Sequence, residues 1–158
     1  MDDDDRPKPA ASTLPEWRSL CCPEGVPQER YVLYPEGMDA FMVLYELTSS
    51  QRRLVRALMQ YMPWEGAGTT FEIGYESLAK RMRIDHSQIE NMVHPRKGCD
   101  RRRVNEREAH ARLTMLVTIK PGKKHTKGRH GSSTVYDLRR FFQAYGEWRK
   151  AAFSNSPT

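Results

Sequence analysis

Lys120, Lys123, Lys124, His125, Lys127, Arg129 and His130 crowd into one short stretch, interrupted by Gly122, Gly128 and Gly131. Cations on a glycine-bearing segment can settle onto a polyanion without demanding a fixed geometry, and a DNA duplex offers one phosphate charge per ~1.7 Å of axis. That is binding chemistry rather than bond-breaking chemistry. Base edges call for a second kind of side chain, donors and acceptors carried on a helix narrow enough for the major groove. Two stretches supply them: Ser87, Gln88 and Asn91, and further on Arg101, Arg102, Asn105 and Arg112. Between them lies His94-Pro95-Arg96-Lys97-Gly98-Cys99-Asp100, which runs into Arg101, Arg102 and Arg103. This stretch reads as an insertion, either a contact from Arg96, Lys97 and Arg103 to phosphate or another subunit, or a plain surface loop.

Other chemistries are poorly served. His86, His94, His110, His125 and His130 with Cys99 invite a metal reading, yet zinc ligands come in close pairs and no second pair matches. A nuclease needs carboxylates converging on Mg²⁺, and Asp100, Glu106, Glu108 and Asp137 are few and suit helix caps and partners for arginine. No glycine-rich loop ending in GK[ST] is present, so nucleotide hydrolysis is not indicated. No enzyme activity, metal or cofactor is expected.

Charge points the same way. The 158 residues carry 26 Lys or Arg against 20 acids, a net +6, but residues 1–50 hold four basic and ten acidic side chains. From Arg96 to Gly131 twelve cations face three acids. A field of this sign concentrates polyanions, so nucleic acid is the expected partner, double-stranded DNA ahead of RNA. A membrane surface would want bulky apolar groups opposite the charge, which the basic run lacks. Apolar runs are short, as in Phe41-Met42-Val43-Leu44-Tyr45, well below the ~20 residues of a membrane span. No secretory signal is read, and three cysteines with two adjacent cannot make a disulfide framework, so the expected location is cytoplasmic, on the nucleoid if the source is bacterial.

These groups need elements to hold them. Residues 1–28, with Asp2–Asp5 and scattered prolines, are expected to be a disordered acidic tail. Residues 29–47 form an N-terminal extension, a strand or extended arm at 30–34 and a helix at 38–47. Thr48-Ser49-Ser50-Gln51 has the form of a capping box, and Leu54, Val55, Leu58, Met59 and Met62 form one apolar stripe, with Gln51, Arg52, Arg53 and Gln60 off it, until Pro63. Phe71 and Ile73 alternate in a short strand at 69–73. A helix follows at 75–83, then a turn, a helix at 87–93 capped by Asp85 or Ser87, and a helix at 101–115 capped by Asp100. Strands at 116–119 and 133–138 bracket the basic tip, a long hairpin. Phe141, Tyr145, Trp148 and Ala152 stripe a closing helix at 139–153, weakened by Gly146; residues 154–158 are a second disordered tail. The stripe reads as core or, failing that, as a dimer or docking surface. Trp17, Trp64, Cys21 and Cys22 receive no role beyond buried or inert groups.

The element order, with Tyr75-Glu76-Ser77-Leu78-Ala79 and Leu116-Val117-Thr118-Ile119-Lys120-Pro121-Gly122, resembles the winged helix-turn-helix superfamily of DNA-binding domains over residues 48–138. More narrowly, the hairpin followed by Val135-Tyr136-Asp137-Leu138 is similar to small plasmid and phage replication or regulatory proteins. The resemblance implies an α+β, mostly helical fold in which the helix after the turn enters the major groove and the hairpin, the wing, grips flanking backbone. Pro95 and Gly98 depart from the uninterrupted helix usual there, leaving either 87–93 or 101–115 as the reading helix. The implied function is non-catalytic DNA binding in transcription regulation or DNA replication of a mobile element or microbe. The alternatives are a non-catalytic subunit of a larger nucleoprotein complex, and a nuclease.

Overall fold

The computed structural model describes residues 15–24, 26, 35–65, 68–121 and 134–154. It is α+β and mostly helical, in the order α1 (Glu16–Cys21), α2 (Pro35–Leu44), α3 (Ser49–Tyr61), β1 (Thr70–Ile73), α4 (Tyr75–Met82), α5 (His86–Val93), α6 (Arg101–Thr114), β2 (Thr118–Lys120), β3 (Thr134–Asp137) and α7 (Arg139–Ser154). The expected arm at 30–34, the basic tip at 122–133 and the tails 1–14 and 155–158 lie outside the described residues.

Helix α3 starts as its capping box requires. The Thr48 hydroxyl accepts from the Gln51 amide at 3.1 Å, and the Gln51 side chain accepts from the Thr48 amide at 3.0 Å. Its stripe of Leu54, Val55, Leu58 and Met59 is buried, continued by Met62 just past the helix. Gln51 is a correction: expected off the stripe, it is 3% exposed, because its Nε2 donates to the Ala109 carbonyl at 2.8 Å and so ties α3 to α6.

The three strands form one antiparallel sheet in the order β1-β3-β2. Tyr136 on β3 stands opposite both Phe71 and Ile119 and is fully buried. Leu116 and Val117, expected to open the second strand, instead make a buried turn whose amides both donate to the Leu113 carbonyl. At the other end of β3 the Asp137 carboxylate accepts from the Thr69 hydroxyl at 2.6 Å and the Arg139 amide at 2.9 Å, fastening β1 to the start of α7.

Helix α7 underlies the rest of the molecule. Phe141, Phe142 and Tyr145 have no exposure, and Phe41 of α2 meets Phe141 and Tyr145 edge-on with ring centroids 5.3 and 5.4 Å apart. Edge-to-face pairs of this kind add to the burial itself, about 0.5–1.5 kcal/mol each. The stripe therefore belongs to the core. The expectation of a dimer or docking surface at 139–153 cannot rest on Phe141 and Tyr145, since both rings are fully covered by the chain's own α2 and core. The helix leaves Arg140, Gln143 and Glu147 outward instead.

Of the expected disorder at 1–28, the part at 15–24 is corrected. Within it α1 forms and packs on α7, with Cys21 fully buried. Gly146, read as a weak point of α7, is what permits this approach: a Cβ there would stand 2.1 Å from the Leu20 carbonyl oxygen. Buried Arg149 then donates to the Cys21 carbonyl at 2.9 Å, closing the C-terminal end of α1, and to the Cys22 sulfur at 3.4 Å. The tryptophans acquire partners as well. Trp17 Nε1 donates to the Trp64 carbonyl at 3.0 Å, Trp64 Nε1 to the Met59 carbonyl at 2.8 Å, and the two rings meet at right angles. Helix α2 lies a few residues earlier than expected because its C-terminus is set by Glu46 in the left-handed conformation, with Leu47 donating back to the Met42 carbonyl.

Candidate nucleic-acid interface

The turn between α4 and α5 is made by Arg83, at φ 56° and ψ 45°, a conformation usually given to glycine. The Ile84 amide donates back to the Ala79 carbonyl at 3.1 Å, and Arg53 of α3 donates to the Met82 carbonyl at 2.6 Å, so the end of α4 is closed from two sides. Helix α5 then leaves the turn with Ile89 and Val93 anchored in the core. Asp85 stands at its N-terminal cap, but neither it nor Ser87 caps the amides through a side chain, contrary to expectation. With the inward positions fixed, Ser87 and Gln88 are exposed and Asn91 half-exposed. Their side chains make no hydrogen bond among the described residues.

Helix α6 is held differently. Only Leu113 on it is fully buried. The Asp100 carboxylate accepts from the Arg103 amide at 2.8 Å and so caps it, as its sequence suggests. Beyond that it is fastened by polar ties: Gln51 to the Ala109 carbonyl, His110 Nε2 donating to the Val93 carbonyl at 3.1 Å, and Arg107 to the Arg96 carbonyl at 3.1 Å. Burial lowers the His110 pKa below the ordinary imidazole value, more than the Val93 bond raises it, so the ring stays neutral near pH 7.

The expected phosphate contacts divide on this scaffold. Arg96 is turned inward, donating from Nε to Glu106 at 3.2 Å and from Nη2 to the other carboxylate oxygen. This bidentate bond holds the Glu106 carboxyl below the usual carboxylate range, with Arg103 and Arg102 adding to the effect. Arg103 lies 3.8 Å from Asp100 and Arg112 donates to the Glu46 carbonyl at 3.1 Å, so both have structural duties at the two ends of α6. Lys97, Arg101, Asn105 and Lys120 are exposed, and Arg102 is largely so. Lys123, Lys124, His125, Lys127, Arg129 and His130 lie outside the described residues.

Tertiary structure brings the two candidate reading helices to one surface. Gln88 and Asn91 of α5, with Arg96, Arg102 and Glu106, border a cleft of about 350 Å³ floored by Met82, Ile84 and Met92. Arg101 and Asn105 line the adjoining depression beside Thr48. Lys80, Arg81 and Arg83 are exposed around the α4 end of the same turn, with Arg81 5.5 Å from the centre of the Tyr61 ring. Sequence reasoning passed over these three; their signal was three cations in four residues at a helix end.

Among the described residues no cluster of three His, Cys, Asp or Glu could hold a metal, and no helix is long and apolar enough to cross a membrane. Comparisons with protein-family models, with curated proteins and with solved structures find no match for this chain.

Proposed function

We propose that this chain is a non-catalytic, sequence-selective binder of double-stranded DNA, built as a winged helix-turn-helix, that serves transcription regulation or replication of a mobile element or microbe. The observation that carries the reading is the path from α3 through β1, α4 and α5 to β2 and β3, closed by a sheet in the order β1-β3-β2. In that arrangement α4 and α5 are the helix pair, and β2 with β3 are the strands that bracket the cationic tip.

Helix α5 is the reader and α6 its support. Ser87, Gln88 and Asn91 have no side-chain hydrogen bond among the described residues, whereas Arg103 and Arg112 of α6 are engaged within the chain. Amide side chains can pair both a donor and an acceptor with adenine in the major groove, which a lysine or a capped arginine cannot do. Lys97, Arg101 and Arg102 stand beside this helix, where they supply phosphate contacts that position without specifying. A duplex is favoured over RNA because the A-form major groove is too narrow for a helix to read.

Titration of fluorescent duplexes across salt tests this. Gln88→Ala and Asn91→Ala should each cost ~1–3 kcal/mol on the preferred sequence and little on others. Lys97→Ala with Arg101→Ala should weaken binding to all sequences and shallow the salt slope by about one for each phosphate no longer neutralised. Unchanged sequence preference in both amide variants would remove α5 as the reader, and Mg²⁺-dependent cleavage that co-purifies with the protein would remove the non-catalytic assignment.

A further inference from the structure

With Phe141 and Tyr145 consumed in the core, the large apolar side chains left outside sit elsewhere. Among the described residues Val43 is 54% exposed, Leu44 65% and Met115 62%. Val43 and Leu44 end α2, and Met115 follows α6. Arg112 of α6 ties these two ends together through the Glu46 carbonyl, and Arg140 of α7 reaches the same end of α6 through the Thr114 carbonyl at 3.4 Å. Leu44 therefore lies two residues from one bond and Met115 next to the other. The charged side chains around them are of both signs. The exposed Glu46 carboxylate has no cation partner, and Arg140 no acid partner, among the described residues.

We infer that this surface, the joined ends of α2 and α6, is where two copies of the chain associate about a twofold axis. A twofold contact must be self-complementary, each patch meeting its own copy. Here the apolar residues supply the centre, and Glu46 of each copy can meet Arg140 of the other, so two groups without an ion-pair partner among the described residues of one copy become paired in two. An acidic partner protein would satisfy the arginine and leave Glu46 facing like charge. The position also suits a DNA binder without depending on that function. The 14-residue α6 runs ~21 Å from this end to Arg101, which leaves the Arg101 end clear of the contact.

The test is the mass of the full chain by light scattering and sedimentation over about 1 to 300 µM, without DNA, since association must follow concentration. The mass is expected to rise from 18.4 kDa toward twice that value. Leu44→Glu should weaken association ~100-fold, as for a central contact residue. Glu46→Arg and Arg140→Glu should each weaken it about tenfold, and the two together should restore it to within ~3-fold, the signature of a cross-copy pair. A chain that stays at 18.4 kDa throughout, or a double variant no better than its parents, overturns the inference, and neither result bears on whether one copy binds duplex.

Discussion

The α1–α2–α7 base and the α5–α6 face are built on different physics. The base is an aromatic assembly, with Trp17, Phe41, Trp64, Phe141, Phe142 and Tyr145 in mutual ring contact. The face has one fully buried residue on α6 and is held by Gln51, His110, Arg96 and Arg107 reaching backbone carbonyls or Glu106. Apolar burial is strong but fixes orientation loosely, whereas hydrogen bonds add little net energy and set direction closely. The contrast shows a division of labour: the base supplies stability, and the face supplies the register in which the side chains of α5 and α6 are presented.

Breaking the base should therefore cost most. Phe141→Ala removes a fully buried ring that touches Phe41, Phe142 and Tyr145, and is expected to lose about 3–5 kcal/mol in urea unfolding, with the whole domain melting as one unit. On the face, Gln51→Ala removes the tie to the Ala109 carbonyl and half of the capping box, for about 1–3 kcal/mol. Its distinguishing result is hydrogen exchange that speeds up in α6 while α7 stays protected; uniform acceleration would deny the face its independence.

The smallest effect is on pH. His110 has a folded-state pKa below its unfolded value, so the unfolded chain takes up the proton more readily, and stability falls as pH drops through the ordinary imidazole value of 6.5 and below. His110→Gln keeps a donor for the Val93 carbonyl and removes the titration. Thermal unfolding at pH 7 should be nearly unchanged, and the decline between about pH 6.5 and 5 should flatten. Equal slopes in the two proteins would place the acid sensitivity elsewhere.

Several elements were legible in the chain itself. The Thr48 capping box, the stripe from Leu54 to Met62, the alternation of Phe71 and Ile73 and the Asp100 cap all depend on neighbours within a few positions, and all stand where expected. Helix α1 was not legible, because six residues flanked by prolines have no helical stability of their own and form against α7 through the gap that Gly146 leaves. Gln51 was misplaced for a related reason: amide polarity argues for solvent until a distant carbonyl is known to receive it. In the proposed interface, the types of Ser87, Gln88 and Asn91 marked them out, but the preference for α5 over α6 in that proposal rests on contacts the sequence does not display.

Composition and local pattern by themselves determined that this chain is α+β, that its positive charge is gathered after residue 95, and which faces of most helices turn inward, since these follow from side chains within a turn or two of one another. Tertiary structure alone decided which cations are spent and which remain. Arg96 meets Glu106 ten positions away and Arg112 reaches the Glu46 carbonyl across 66, while Lys97 and Arg101 are left outward. Electrostatic and hydrogen-bond energies depend on separation in space, and the fold sets that separation by bringing remote parts of the chain together.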